Sequence, residues 1–214
     1  HVTVSYDKVL RIGYEGIIQE AQAALDQMSL GDAEYSKKSQ FLQAVMISCQ
    51  RPGERPNIIT VAWTGTICSD PAMVSISVRK ERYSYDIIRE TGEFVINLTT
   101  NDLTFATDYC GVKSGKDVDK FKEMNLTPSK SKTISAPGIS ESPVSLECKV
   151  KQVLELGSHD MFLAEVTAVS VDPKYMDEKG KFHLNDIGLT AYSHGEYFKL
   201  GEKIGSFGYS VKKK

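Results

Sequence analysis

From residue 44 onward the chain consists of short apolar runs separated by connections that are mostly too brief to hold a helix. That spacing limits the fold more than any other feature. Ile58 to Ile67, Met73 to Val78 and Phe94 to Leu98 are rich in β-branched or apolar residues and short enough for strands. Val74, Ile76 and Val78 alternate with Ser75, Ser77 and Arg79, the period of a half-buried strand. Val144 to Leu156 and Met161 to Val171 are longer strand candidates, joined by the turn Gly157-Ser-His-Asp160. Parallel neighbours need crossovers of about a dozen residues or more, so a doubly wound sheet is disfavoured. A mainly β antiparallel barrel with a few helices fits.

Other signals fill in the organisation. Tyr85 to Thr91 reads as a brief helix closed by Gly92, and Lys130 to Pro143 as an exposed connection. The first part of the chain differs. From Ser5 to Met28 the positions Leu10, Tyr14, Ile17, Ile18, Ala21, Leu25 and Met28 recur at three- and four-residue spacing, one face of an amphipathic helix. Gly31 is placed to stop it and Asp32 to cap a second helix. Ala44 to Cys49 fits either the end of that helical pattern or a strand, and periodicity leaves it open. The expected division is a helical segment over residues 1–43 and a barrel domain over 44–214.

Composition removes several function classes. With 41% hydrophobic and 25% charged residues in 214, the chain can bury a core, which excludes global disorder. A formal net charge of −2 gives no electrostatic case for nucleic acid, and Lys212-Lys213-Lys214 reads as a solvated tail. No apolar run approaches the roughly twenty residues of a membrane span. The N-terminus lacks a signal-peptide pattern, and Cys49, Cys68, Cys110 and Cys148 lie far apart without C-x-x-C or zinc-ligand spacing. Reduced thiols in a cytoplasmic protein are expected.

No G-x-G-x-x-G after a strand, G-x-x-x-x-G-K-[ST], H-E-x-x-H or G-x-S-x-G occurs. Gly111-Val-Lys-Ser-Gly115 is too weak on its own to read as a phosphate loop. Two polar clusters remain. Thr60, Trp63, Thr64, Thr66, Cys68, Ser69 and Asp70 crowd a segment that otherwise reads as core. Single strand threonines are simply good β-formers, but the group together suits a heteroaromatic ligand with many acceptors. Arg79, Lys80, Arg82 and Ser84 follow a strand and precede the short helix. Read alone they fit a phosphate site at a helix N-terminus, or a solvated basic turn with Ser84 as N-cap.

Thr60-Val-Ala-Trp-Thr-Gly-Thr-Ile-Cys-Ser-Asp-Pro71 and Val78-Arg-Lys-Glu-Arg-Tyr-Ser84 resemble the flavin reductase-like family of FMN-binding split barrels, in its flavoredoxin branch. Asp117-Val-Asp-Lys-Phe121, Gly157-Ser-His-Asp160 and Ala191-Tyr-Ser-His-Gly-Glu-Tyr197 extend the match over about residues 44 to 214. The resemblance implies a homodimeric antiparallel split barrel holding non-covalent FMN near the subunit interface. By it, residues 60–71 lie along the isoalloxazine and ribityl chain, and Arg79, Lys80, Arg82 and Ser84 hold the phosphate. Lys120, His159 and His194 fall near the flavin or a nicotinamide, and His183 has no role. The flavin carries the redox chemistry, so no protein nucleophile is required. Residues 1 to about 50, including Tyr6-Asp-Lys-Val-Leu-Arg-Ile-Gly13 and Ser39-Gln-Phe-Leu-Gln43, instead resemble a helical piece of glycyl radical enzymes of the hydroxyproline dehydratase type. That piece carries neither the radical glycine loop nor the catalytic cysteine stretch, so no activity is transferred. The expected function is an FMN-binding oxidoreductase, either a flavin reductase using NAD(P)H or a flavoredoxin-type carrier serving a redox partner protein. The alternative is a non-redox binding or assembly module whose helical segment meets a partner.

Overall fold

The computed structural model describes residues 2–4 and 41–211. The helix expected over 5–28, the second helix after Asp32 and the Lys212–Lys214 tail lie outside the described residues. The strands are β1 (Val2–Val4), β2 (Phe41–Leu42), β3 (Val45–Cys49), β4 (Asn57–Val61), β5 (Thr64–Ser69) and β6 (Ala72–Val78), followed by β7 (Glu93–Leu98). After them come β8 (Pro128–Ser129), β9 (Gly138–Ile139), β10 (Val144–Leu156), β11 (His159–Val171), β12 (Thr190–Ser193) and β13 (Glu196–Lys199). Helices α1 (Tyr83–Thr91), α2 (Thr104–Val112) and α3 (Lys120–Glu123) interrupt them.

Eight strands form one antiparallel sheet in the order β4-β3-β7-β10-β11-β6-β5, with β1 added to β11. Its first and last strands, β4 and β5, are consecutive in the chain and joined only by Ala62 and Trp63. Two residues can link opposite edges only where the sheet has curled until they meet, which is a barrel. The same corner explains why Ile58 to Ile67 is two strands rather than one. A smaller sheet, β13-β12-β2, and the pair β8-β9 lie beside it.

Strand alternation sorts the apolar residues into two layers. Val45, Ile47, Ile59, Val61, Val74, Ile76, Phe94, Ile96 and Phe162 fill the barrel. Met46 and Ile58 point outward and pack with Leu103, Ala106, Cys110, Phe121, Leu126 and Ile139 beneath α2 and α3. Because β3 is buried on both faces it has no polar alternation, which is why its sequence reads ambiguously.

The stretch 130–143 is not the exposed connection its Ser, Lys and Pro content implies. Ala136 to Ile139 are buried. Asn97, fully buried on β7, donates to the Met46 carbonyl at 3.0 Å and accepts from Ile139 N and Ser145 Oγ at 2.9 Å. Buried Glu147 accepts from the backbone of Lys132 and Thr133. Polar side chains thus satisfy a backbone with few ladder bonds of its own. All four cysteines are free, and among the described residues no helix is long and apolar enough to cross a membrane.

Candidate functional site

Helix α1 starts two residues before the sequence predicts, at Tyr83 rather than Tyr85. Arg82, not Ser84, is the N-cap, and no side chain caps it. The leading N–H groups of Tyr83 and Ser84 therefore lack a side-chain acceptor and present the positive end of the helix dipole. At the other end Gly92 closes α1 at φ 68°, donating to the Ile88 carbonyl at 2.9 Å.

A cavity of about 490 Å³ opens at this N-terminus. One wall is the β6–α1 turn, with Arg79, Glu81, Arg82, Tyr83 and Ser84. The facing wall is the end of α2 and the loop after it, with Cys110, Gly111, Lys113, Ser114 and Gly115, and the floor is Asn57, Ile59 and Lys120. Asn57 joins the two walls. Its Nδ2 donates to Ser84 Oγ at 2.7 Å, while Gly115 packs so closely on its amide that a Cβ there would overlap it. Arg55 Nη2 then holds the Gly115 carbonyl at 2.6 Å.

Four cations and one carboxylate line this space. Glu81 pairs with Arg79 at 3.3 Å, and its own backbone N–H, with Arg79, keeps its carboxyl below the usual range. Lys120 is 3% exposed and donates to the carbonyls of Ile58 and Cys110 at 2.6 and 2.7 Å. Burial brings its ammonium down to about 8, despite the two neighbouring thiols, and Arg82 adds to the fall. Burial also pushes the thiols of Cys49 and Cys110 up to about 12 and about 11, so both are neutral and inert at ordinary pH.

The predicted residues separate into groups. Arg79, Arg82, Ser84 and Lys120 come together in the cavity. Lys80 turns to the opposite side and lies 3.3 Å from the buried Asp160, which also accepts from the Tyr85 hydroxyl and Arg89. Thr60 donates to the Thr107 carbonyl just behind Gly111, and Thr64 to the Ser75 carbonyl. Thr66 Oγ1 is buried without a partner. Cys68 Sγ contacts the Asp70 carbonyl at 3.3 Å, with Ser69 and Asp70 exposed at the end of β5. Trp63, 36% exposed, packs on His159 with ring centroids 4.0 Å apart. Asp160 pairs with Val78, so His159 stands beside Arg79. Burial, then Arg79, lowers the imidazole's proton affinity. His194 is exposed at φ 50° in the β12–β13 turn, away from the cavity lining.

Sequence reasoning missed Asn57, Lys113, Ser114 and Gly115. The glycine pair of Gly111-Val-Lys-Ser-Gly115 is the signal that finds three of them. It marks backbone packed closely on β4, Gly111 against Thr60 and Gly115 against Asn57. Asn57, an ordinary residue at a strand start, carries no signal.

Comparison with known proteins agrees with the barrel fold. The flavin reductase like domain matches residues 39–201, and the pyruvate formate lyase-like family matches residues 1–54. An uncharacterized protein of Archaeoglobus fulgidus is 31% identical over 68% of this chain and 80% of its own length. The solved flavoredoxin of Desulfovibrio vulgaris (Miyazaki F) is 29% identical, with a TM-score of 0.78 over 87% of this chain and 100% of that one. The N-terminal piece is similar to (2S)-3-sulfopropanediol dehydratase of Klebsiella oxytoca, 36% identical over 23% of this chain and 6% of that protein. With the barrel, the cationic turn at its rim and a family match over most of its length, this chain belongs to the flavin reductase-like family.

Proposed function

We propose that the chain binds FMN without a covalent bond and works as a flavin oxidoreductase, either a flavin reductase drawing on NAD(P)H or a flavoredoxin-type electron carrier. The uncapped N-terminus of α1, ringed by Arg79, Arg82, Ser84 and Lys120, carries this reading. Those donors suit a phosphate monoester, for which charge-assisted bonds and helix N–H groups act together. Thr66 Oγ1, buried and unpartnered on β5, supports a ligand with polar atoms along residues 60–71. Bound FMN supplies the redox chemistry.

The protein's part is position and electrostatics. Ser84, held by Asn57, and Arg82 fix the phosphate end, and Gly115 shapes the facing wall. Asp160 draws Lys80 and Arg89 to the other side of the turn, leaving Arg79 and Arg82 for the ligand. Trp63 and His159 offer an aromatic surface beside Arg79. A second copy of the chain is the proposed partner, supported by exposed Ile204, Phe207, Tyr209 and Val211 near the C-terminus. The free thiols support a reducing compartment.

The test titrates FMN and riboflavin into wild type, Arg82→Ala and Ser84→Ala. Each variant should lose roughly ten- to a hundred-fold in FMN affinity and little for riboflavin, because only FMN carries the phosphate. Equal losses for both flavins would sink the assignment. The visible spectrum of the purified protein and NADH and NADPH consumption, with and without free FMN, separate reductase from carrier.

A further inference from the structure

His159 is held in place from both sides along the chain. Gly157 and Ser158 form the two-residue turn between β10 and β11, with Gly157 at φ 42°, a positive value of the kind such a turn needs. On the other side, buried Asp160 accepts from the Tyr85 hydroxyl and Arg89 and pairs with Lys80, which fixes the backbone where β11 begins. Successive strand residues point to opposite faces. His159 therefore lies on the other face, where its ring rests on Trp63 with centroids 4.0 Å apart. That stack settles where the ring lies but not which nitrogen carries the proton. Among the described residues only the Ser158 hydroxyl bonds the ring, with Oγ 2.9 Å from Nδ1. The charged groups near the imidazole are Arg79 and Glu81, which pair with each other at 3.3 Å.

We propose that Ser158 is a positioning residue, whose hydroxyl donates to Nδ1 and thereby holds His159 in the tautomer that offers Nε2–H to the acceptor atoms of the flavin ring. The inference rests on the reading above that Trp63 and His159 meet the ring end of the ligand, and it names the residue that sets the donor there. Hydroxyl and neutral imidazole can each donate or accept, so basicity decides between them. A histidine ring nitrogen takes up a proton near about pH 6.5, whereas an alcohol oxygen stays unprotonated in water. The nitrogen is much the better acceptor, so O–H···N outweighs N–H···O and the ring proton sits on Nε2. Burial and Arg79, against Glu81, favour the uncharged imidazole, so Nδ1 keeps the lone pair that the hydroxyl needs. A flavin ring carries carbonyl oxygens, to which Nε2–H can donate and a bare nitrogen cannot. Without the Ser158 hydroxyl the ring stays on Trp63, but its proton is free to occupy either nitrogen.

The experiment records long-range proton–nitrogen NMR spectra of the histidine rings in the full chain at about pH 8, above the ordinary histidine range, with His159→Gln identifying the His159 signals. Wild type should show one neutral tautomer, with Nδ1 unprotonated. Ser158→Ala should show a mixture of the two, and Ser158→Thr, which keeps a hydroxyl, should restore the single one. Ser158 is exposed in its turn, so neither substitution removes a buried contact, and circular dichroism checks the fold. A wild-type ring protonated on Nδ1, or a Ser158→Ala spectrum like that of wild type, overturns the proposal. Titration with FMN and riboflavin tests the ligand's share. Ser158→Ala should weaken both alike, by roughly two- to tenfold, the effect of one ordinary hydrogen bond, because both flavins carry the same ring. That pattern differs from Arg82→Ala, where only FMN should lose. A mixed tautomer with both affinities unchanged overturns the positioning role. Should wild type bind neither flavin, the flavin reading falls, and the spectra alone uphold or overturn the hold of Ser158 on His159.

Discussion

Gly115→Ala tests the wall of the cavity with a single methyl group. Gly115 is buried and its backbone is not in the left-handed region, so alanine meets no backbone penalty there. The obstacle is steric, because the new Cβ overlaps the Asn57 amide. Two relaxations are open. If Asn57 rotates, Ser84 Oγ loses its 2.7 Å donor while only 1% exposed. If the loop withdraws, Arg55 loses the Gly115 carbonyl at 2.6 Å. Either leaves a polar group short of a partner, at a cost of about 1–3 kcal/mol. For a chain of this size that is a fall in Tm of about 2–12 °C. Affinity suffers to the extent that FMN needs the wild-type wall, at most about fivefold to just over a hundredfold. Thermal unfolding and FMN titration measure the two effects. An unchanged Tm together with an unchanged FMN Kd would show that Asn57 and Gly115 do not brace the site.

Two further outcomes follow from the same contacts. Burial alone would raise the Asp160 carboxyl, but the Tyr85 hydroxyl and Lys80 outweigh it and hold it below the usual range. Its contribution is therefore present above the ordinary aspartate pKa of about 3.9 and lost as pH falls through the lower folded value. Asp160→Asn should lower Tm at pH 7 and flatten the acid limb of a Tm-against-pH curve, and an unaltered limb would refute the network. Deleting residues 1 to about 42 should leave FMN affinity within a few-fold, since every cavity residue lies at 57 or beyond. It removes β1 from β11 and β2 from β12, so stability and solubility should fall, and a folded truncation binding FMN tenfold more weakly would show that the first segment shapes the site.

How far the sequence reveals this protein depends on whether each element has one solvated face. In β6, buried Val74, Ile76 and Val78 alternate with more polar positions, and the pattern is visible. The continuous apolar run of β3 serves two cores at once, so its period vanishes. Helix α2 escapes notice because Phe105 and Val112 are 77% and 70% exposed while Thr107 is buried, which blurs its apolar stripe. In the site, Arg79, Arg82 and Ser84 are legible because adjacent charges announce themselves. Asn57 and Gly115 act through close packing across the fold, and only folding brings them together.

The cluster Arg79-Lys80-Glu81-Arg82 shows why charge count alone misassigns a site. As sequence, the three cations look equivalent. The backbone leaving β6 turns Arg79 toward the cavity and Lys80 away from it, where Asp160 on β11 waits at 3.3 Å. Asp160 is fully buried and bonded also to Tyr85 of α1, so it fixes the angle at which the helix leaves the sheet. That angle aims the uncapped N–H groups of α1 at the space between Arg82 and Gly115. Lys80 therefore neutralises the carboxylate that sets the helix, and Lys80→Ala should disturb stability before it disturbs the proposed phosphate recognition. Arg79→Ala should do the reverse, because its only charged partner in the turn is the half-solvated Glu81, and exposed pairs of that kind contribute little to folding.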